Sequence, residues 1–399
     1  MLIHWIWFAE LSHISLRQKH QLLQHFSDPE EIYYSEDRVF AEFPEKVRDA
    51  LDHKSLSSAE KILRDCADRG IGIMTLGDSI YPSRLKNIFD PPLVLYYKGI
   101  LPDWEQQPVI GVVGTRKATS YGMQAGMELG SQIAAGGGLL VSGGAEGVDT
   151  MALQGAVRAG KPAVAVLGGG VDVVYPSSNR QLFATLSQNG CLISEYPPKT
   201  KALGWHFPIR NRIISGLSNG VLVVEAPNPS GSLITAERAA EQGRDVFVVP
   251  GNIGVEACRG SNELLQQGAI PVLCGWDILK EYDALYPGKL QQKPAQSRTF
   301  EKTTLKVAEE PVYPRQMEKK KEPLQKKDID NGEKSTYSVC QDLTPEEQAV
   351  AKLLTVRPQL MDEIIAQSGM PAGTVLSILT KLTLKGVIKN YPGRRVSLK

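Results

Sequence analysis

Six loops of one texture recur through the middle of the 399-residue chain, each rich in Gly, Ser, Thr, Arg or Asn. They are GTRKATSYG (114–122), SGGAEGVDT (142–150), GGGVDVVYPSSNR (168–180), SEYPPKTKALGWHFPIRNR (194–212), EAPNPSGSLIT (225–235) and PGNIG (250–254). Backbone amides exposed at glycine turns and helix starts are donors for anions, phosphate oxygens above all. Arg116, Arg180, Arg210 and Arg212 can add charge-assisted contacts to the same oxygens. Glycine shaping a turn explains any one of these loops; six together favour a phosphate-bearing ligand. Rings interleave with the cations at Tyr121, Tyr175, Tyr196, Trp205 and Phe207. Cations that track a backbone beside rings on which bases stack are what a single nucleic-acid strand requires, while core packing accounts for any one ring alone.

Familiar catalytic patterns fail on context. GAVRAGKP (155–162) falls short of a P-loop, because Pro162 replaces the Ser or Thr that would hold magnesium and a helix precedes it instead of a strand. GLSNG (216–220) fits GxSxG but runs from helix to strand, the reverse of a nucleophile elbow, and His206 precedes its serine. No GxGxxG follows the first strand and no acidic residue lies about 20 positions on, which disfavours NAD, so no cofactor is expected. His4, His13, His20, His25 and His53 show no ligand spacing, and no metal is expected. The cysteines, Cys66, Cys191, Cys258, Cys274 and Cys340, are scattered and never form CxxC, as reduced thiols of a cytoplasmic protein would be.

The elements that must position the loops are the runs between them: VIGVVG (109–114), LLVSGG (139–144), AVAVLG (163–168), CLISE (191–195), VLVVEA (221–226), VFVVPG (246–251) and AIPVLC (269–274). Apolar throughout and spaced by helical stretches, they predict parallel strands buried on both faces, an α/β doubly wound sheet of Rossmann-like kind over 71–285. Residues 1–70 predict a separate helical domain, with starts at SDPEEI (27–32) and SSAEKIL (57–63). Its apolar opening, Leu2 to Ala9, is too short to cross a membrane and lacks the basic start of a signal peptide. Residues 286–340, rich in Lys, Gln, Pro and Glu, predict a disordered linker. Residues 341–399 predict a winged helix-turn-helix: a helix capped by Thr344, a second over 361–367, a third from Pro371 to 385, and a ribbon turning at Pro392 and Gly393.

With 45 basic and 44 acidic residues the chain is not a histone-like polycation, and its net charge of +1 is a cancellation. Residues 1–80 hold 9 basic and 14 acidic side chains, 81–285 hold 16 and 17, and 286–340 hold 12 and 8. A sheet domain without net positive charge has to grip a polyanion through a few placed cations among backbone amides. Beyond Ile378 there are six basic residues and no acidic one: Lys381, Lys385, Lys389, Arg394, Arg395 and Lys399. On a winged helix they serve a duplex, a protein partner, or simply a solvated face.

Taken in order, the motifs resemble those of the DNA-processing protein DprA (Smf) family. The resemblance is carried by YPSRLKNIFDPPLVLYYKG (81–99), VGTRKATSYG (113–122), SGGAEGVDTMA (142–152), VLGGGVDVVYPSSNRQL (166–182), SEYPP (194–198), FPIRNRIISGLSNGVLVVEA (207–226), SGSLITAERAAEQGRDVFVVPG (230–251) and GSNELLQQGA (260–269). It implies an extended Rossmann fold without nucleotide cofactor, between a helical N-terminal domain and a C-terminal winged helix. It implies a non-enzymatic protein that binds single-stranded DNA, protects incoming strands during natural transformation and loads the recombinase RecA onto them. It also implies a homodimer formed through the Rossmann domain. The family's DNA-contacting GxR loop falls on Gly114, Thr115 and Arg116. Its glycine-rich SGxAxGxD loop falls on Ser142, Gly143, Ala145, Gly147 and Asp149, with Gly144 a further candidate within it, its RNR motif on Arg210, Asn211 and Arg212, and its SGSLIT motif on Ser230 to Thr235, with Ser230, Gly231, Ser232 and Thr235 as contacts. Glu146 stands where the family usually has Arg, Leu153 where it usually has His, and Ser177 where some members carry a base, with Arg180 as a substitute. The rival is a Rossmann-like nucleoside-monophosphate phosphoribohydrolase, whose PGGxGTxxE motif is approached by PSGSLITAE (229–237), with Leu and Ile in place of its last Gly and Thr and Glu237 as its acid.

Overall fold

The computed structural model describes residues 1–52, 54–292, 344–355, 359–384, 387–391 and 395–398. The chain divides into two compact units, Met1–Thr303 and Thr304–Lys399.

The first unit is built on a nine-stranded sheet: β1 (Gly72–Thr75), β2 (Val94–Gly99), β3 (Val109–Val113), β4 (Leu139–Ser142), β5 (Ala163–Leu167), β6 (Cys191–Ser194), β7 (Gly220–Val223), β8 (Asp245–Val248) and β9 (Ile270–Pro271). Their order across the sheet is β1-β2-β6-β5-β4-β3-β7-β8-β9. Strands β3 to β9 are mutually parallel, and all seven predicted runs are among them. Strands β3, β4, β5, β6 and β7 are buried along their whole length, as two-faced burial requires. Two strands were not expected: β2 lies antiparallel to β6 and β1 antiparallel to β2. The chain winds outward from β3 through β4 and β5 to β6, then returns to β7 on the other side of β3. The topological switch therefore falls between β3 and β7, where an open α/β sheet parts to make a crevice at its carboxyl edge.

The N-terminal helices are not a body apart from the sheet. Helix Leu2–Glu10 buries Trp5, Ile6, Trp7 and Phe8 in a core continuous with the sheet residues Val94, Tyr96 and Leu192. The apolar opening of the chain is thus a core helix. Arg69 to Asp172 at 3.1 Å and Lys199 to Asp65 at 2.5 Å add ion pairs across the same junction. The unit also extends past residue 285: Tyr286 and Leu290 are buried, and the Gln291 amide donates to the Gly136 carbonyl at 3.0 Å. The remainder of the expected linker lies outside the described residues.

The second unit holds helices Pro345–Ala351, Met361–Ser368 and Ala372–Leu384, with a small sheet of β10 (Gln359–Leu360), β11 (Ile388–Tyr391) and β12 (Arg395–Leu398). Thr344 and Glu347 form a reciprocal capping box, and Pro345 occupies the first turn. Gly369, at φ 63°, ends the second helix in the left-handed conformation that glycine takes without steric cost. The ribbon pairs Ile388 with Leu398 and Tyr391 with Arg395, and β10 adds a third strand to it.

Candidate nucleic-acid interface

The loops after β3, β4 and β5 and the start of helix His206–Leu217 converge on a pocket of about 320 Å³. Arg116, Gly143, Gly144, Tyr175, Phe207 and Arg210 lie on its wall, with Glu146 and Ser177 beside them. Arg116 is exposed, and its guanidinium sits over the Phe207 ring, 4.9 Å from the centroid. Tyr175, 48% exposed, stacks on the same ring at 5.5 Å and 29°. A cation and two stacked rings thus share one wall with glycine backbone, the combination that takes a phosphate and its base together.

Arg210 completes the wall from within. It is buried, and it donates through Nη1 to the carbonyls of Gly143, at 2.6 Å, and of Val166. Burial lowers its pKa to about 10, with Asp149 pulling the other way. Gly143 is required at this point, since a Cβ there would lie 2.6 Å from Arg210 Nη2 and 2.7 Å from Asp149 Oδ2. Gly144 and Gly147 take φ of 64° and 81°, which lets the loop turn back under the Arg116 loop. Asn179 fixes that turn, donating to the Gly144 carbonyl at 2.9 Å and to Thr150 Oγ1 at 2.7 Å.

Asp149 lies beneath this wall. Burial lifts its carboxyl to about 6, against the pull of Arg210 and of the Ala145, Gly114 and Gly143 amides. The folded chain therefore holds a proton that the unfolded chain has released between about pH 4 and pH 6, so stability from this group is greatest in acid and declines as pH rises through that window. Asp149→Asn is expected to flatten the dependence of unfolding temperature on pH over this interval relative to wild type. An identical pH profile for the two proteins would refute the coupling.

Glu225 dominates the switch point and has no counterpart among the expected site residues. Its buried carboxylate accepts from the Thr119 amide at 2.9 Å and from Thr119 Oγ1 at 2.5 Å, at the start of helix Ser120–Ala135. Its own carbonyl accepts from the Thr115 amide at 2.7 Å. A side chain on Gly122 would collide with this carboxylate. In a dinucleotide-binding fold that place belongs to the pyrophosphate; here the protein fills it with its own anion, and the same contacts hold the GTR loop so that Arg116 points outward.

The other expected residues divide. Gly114 packs tightly against Val148, and Thr115 is buried below Arg116, so both shape the loop. Ser142 is fully enclosed, its hydroxyl donated to the Val112 carbonyl at 2.6 Å, and it has no face toward the pocket. Arg212, expected as a phosphate contact, is instead internal, with Nε on Asp90 at 3.1 Å and Nη2 on Glu195 at 2.7 Å. Helical periodicity explains the split, because residues two apart project from different sides of one helix. Arg180 is exposed at the start of helix Arg180–Asn189 but does not line the pocket.

Asn211 accepts from Arg210 Nε and donates to the Gly231 carbonyl, which links the RNR motif to the SGSLIT motif. Within the latter, Ser230 caps helix Gly231–Glu241, Ser232 hydrogen-bonds to it at 2.7 Å, and Thr235 donates to the Gly231 carbonyl. Of the family departures, Glu146 is on the pocket rim and accepts from Ser178 Oγ, Ser177 lines the wall, and Leu153 is buried in the core. In the second unit Lys381 and Lys389 are exposed on helix Ala372–Leu384 and on β11, and Arg395 begins β12. Lys385 and Arg394 lie outside the described residues.

Residues 72–283 match the family model for DNA recombination-mediator protein A, and residues 338–394 match that of the DprA winged helix domain. The chain belongs to the DprA family. Among its relatives, the DNA processing protein DprA of Bacillus subtilis is 42% identical over 221 residues, spanning 55% of this chain and 74% of that protein. Protein Smf of Synechocystis is 34% identical over 325 residues, 81% of this chain and 79% of its own. The X-ray structure of DprA from Streptococcus pneumoniae superposes with a TM-score of 0.62 at 33% identity, over 70% of this chain and 98% of that one. As a DprA-family member the chain acts in DNA processing and recombination, and the family's extended Rossmann-like sheet and winged helix are the two units described above.

Proposed function

We propose that the protein is a non-enzymatic binder of single-stranded DNA that protects incoming strands and loads the RecA recombinase onto them. The observation that carries this is the outward-facing Arg116 stacked on Phe207 and followed by Tyr175, on a wall otherwise made of glycine backbone. Such a surface holds a phosphate by charge and the attached base by its face, and a base inside a duplex has both faces stacked on its neighbours. The recombination-mediator description of the family supports hand-over to a recombinase. In the first unit, Arg116 of the GTR loop and the backbone of Gly143 and Gly144 hold the strand, with Arg210 bracing that backbone from behind. Lys381 and Lys389 of the winged helix add a basic surface for a duplex or protein partner. A homodimer through the Rossmann domain is part of this reading. Among the described residues no helix is long and apolar enough to cross a membrane. Glu237, the acid needed by a nucleoside-monophosphate phosphoribohydrolase, is exposed on helix Gly231–Glu241 and is not on the pocket wall.

A salt-titrated comparison of single-stranded and duplex oligonucleotides of equal length tests this. Tighter binding of the single strand, with an affinity that declines log-linearly with salt, is the expected result. Equal or tighter duplex binding, or release of adenine from AMP that Glu237→Gln abolishes, would overturn it.

A further inference from the structure

We infer that Phe89 and Arg17 form a second station for a single-stranded DNA, built jointly by the N-terminal helices and the loop before β2. This rests on the single-stranded-DNA assignment of the pocket. Phe89 is 82% exposed, and Arg17 of helix Leu16–His25 places its guanidinium 6.0 Å from the ring centroid. A large ring so exposed leaves apolar area in water that a ligand would remove. The loop that presents it is tied down from three directions. Arg212 Nε donates to Asp90 at 3.1 Å, His20 Nε2 meets the Pro91 carbonyl at 2.8 Å, and the Tyr81 hydroxyl donates to the Pro92 carbonyl at 2.8 Å.

The topology puts this station on the rim that carries the pocket. Because β2 runs antiparallel to β6, the residues entering β2 stand at the carboxyl end of the parallel strands. Arg212 joins Asp90, next to Phe89, to Glu195, the first residue after β6. Tyr196 then stacks on His206 at 3.9 Å, and His206 Nδ1 meets the carbonyl of Gly168 on the pocket wall at 2.8 Å. Strands β5 and β2 are separated only by β6, about 10 Å at the usual strand spacing. The rim thus carries the same unit twice, an arginine over a phenylalanine ring, Arg116 on Phe207 and Arg17 on Phe89. A strand leaving the Arg116–Phe207 pair meets the Arg17–Phe89 pair. The internal ion pairs of Arg212 acquire a purpose here, since it is the positioning residue that holds the Phe89 loop against the rim.

The test is fluorescence anisotropy of the full chain with oligo-dT of about two and about twenty nucleotides, lengths that fill one station or both. Phe89→Ala is expected to weaken the longer oligonucleotide about five- to tenfold, leave the shorter one and the salt slope unchanged, and be rescued by Phe89→Trp. Arg17→Ala should weaken the longer one and reduce its salt slope by about 0.7. Unchanged affinity of Phe89→Ala at both lengths overturns the inference and leaves the ring to a protein partner. If Arg116→Ala still weakens both lengths in that case, the second station alone has failed; if it weakens neither, the pocket assignment has failed.

Discussion

Arg116→Ala is expected to lower affinity for poly-dT roughly ten- to hundredfold, the effect of losing a charge-assisted phosphate contact worth about 1.5–3 kcal/mol. The side chain is exposed and its guanidinium lies on the Phe207 ring, so the unfolding temperature should scarcely move. The salt slope should fall by about 0.7, the increment for one phosphate on a single strand. Arg116→Lys should restore the slope but only part of the affinity, since an ammonium lacks the planar face that lies on Phe207. Binding by Arg116→Ala that equals wild type across the salt range would remove the central cation from the proposed function.

Gly147→Ala is expected to damage fold and site together. Gly147 sits at φ 81°, and a Cβ there would overlap the Thr115 carbonyl oxygen and come within 2.8 Å of the Arg116 carbonyl oxygen. Both obstacles are backbone, so the GTR loop has to move, at about 2–4 kcal/mol. In a unit of this size that corresponds to a drop of roughly 3–7 °C in unfolding temperature, with DNA affinity falling as Arg116 is displaced. Gly231→Ala is the control, because a Cβ there has nothing within 4 Å. A Gly147→Ala protein as stable as the control would show that the loop tolerates what its geometry forbids.

The parallel strands were legible because each is a continuous apolar run ended by a glycine turn. Strand β2 carries such a run in Leu93 to Tyr97, but no phosphate-type loop follows it, and β1, GIMT, offers only Ile73 and Met74 as an apolar run. The helix caps at Asp28 and Thr344 are local chemistry, and the structure holds both, while the start at SSAEKIL opens helix Ser57–Arg69 without a side-chain cap. Burial was less legible. Arg116, Arg210 and Arg212 read alike in sequence, yet one is exposed, one backs the pocket wall and one is locked between two carboxylates. Which side of a helix faces a ligand depends on how the helix docks, and no motif spacing records that. Asn179 and Glu225, which brace the two key loops, come from distant segments and carry no signal beyond polarity beside an apolar run.

The Glu225 carboxylate at the crevice between β3 and β7 bears on competition in a crowded cell. Free nucleotides are abundant there, and an open anion hole at a helix start would be occupied by them much of the time. Thr119 and the start of its helix are already engaged by an acid that cannot diffuse away. What remains for a ligand is the neighbouring wall, where Arg116, Tyr175 and Phe207 stand beside glycine backbone. A resident carboxylate would thus turn a free phosphate away from the crevice, and under the proposed function leave it to the neighbouring wall.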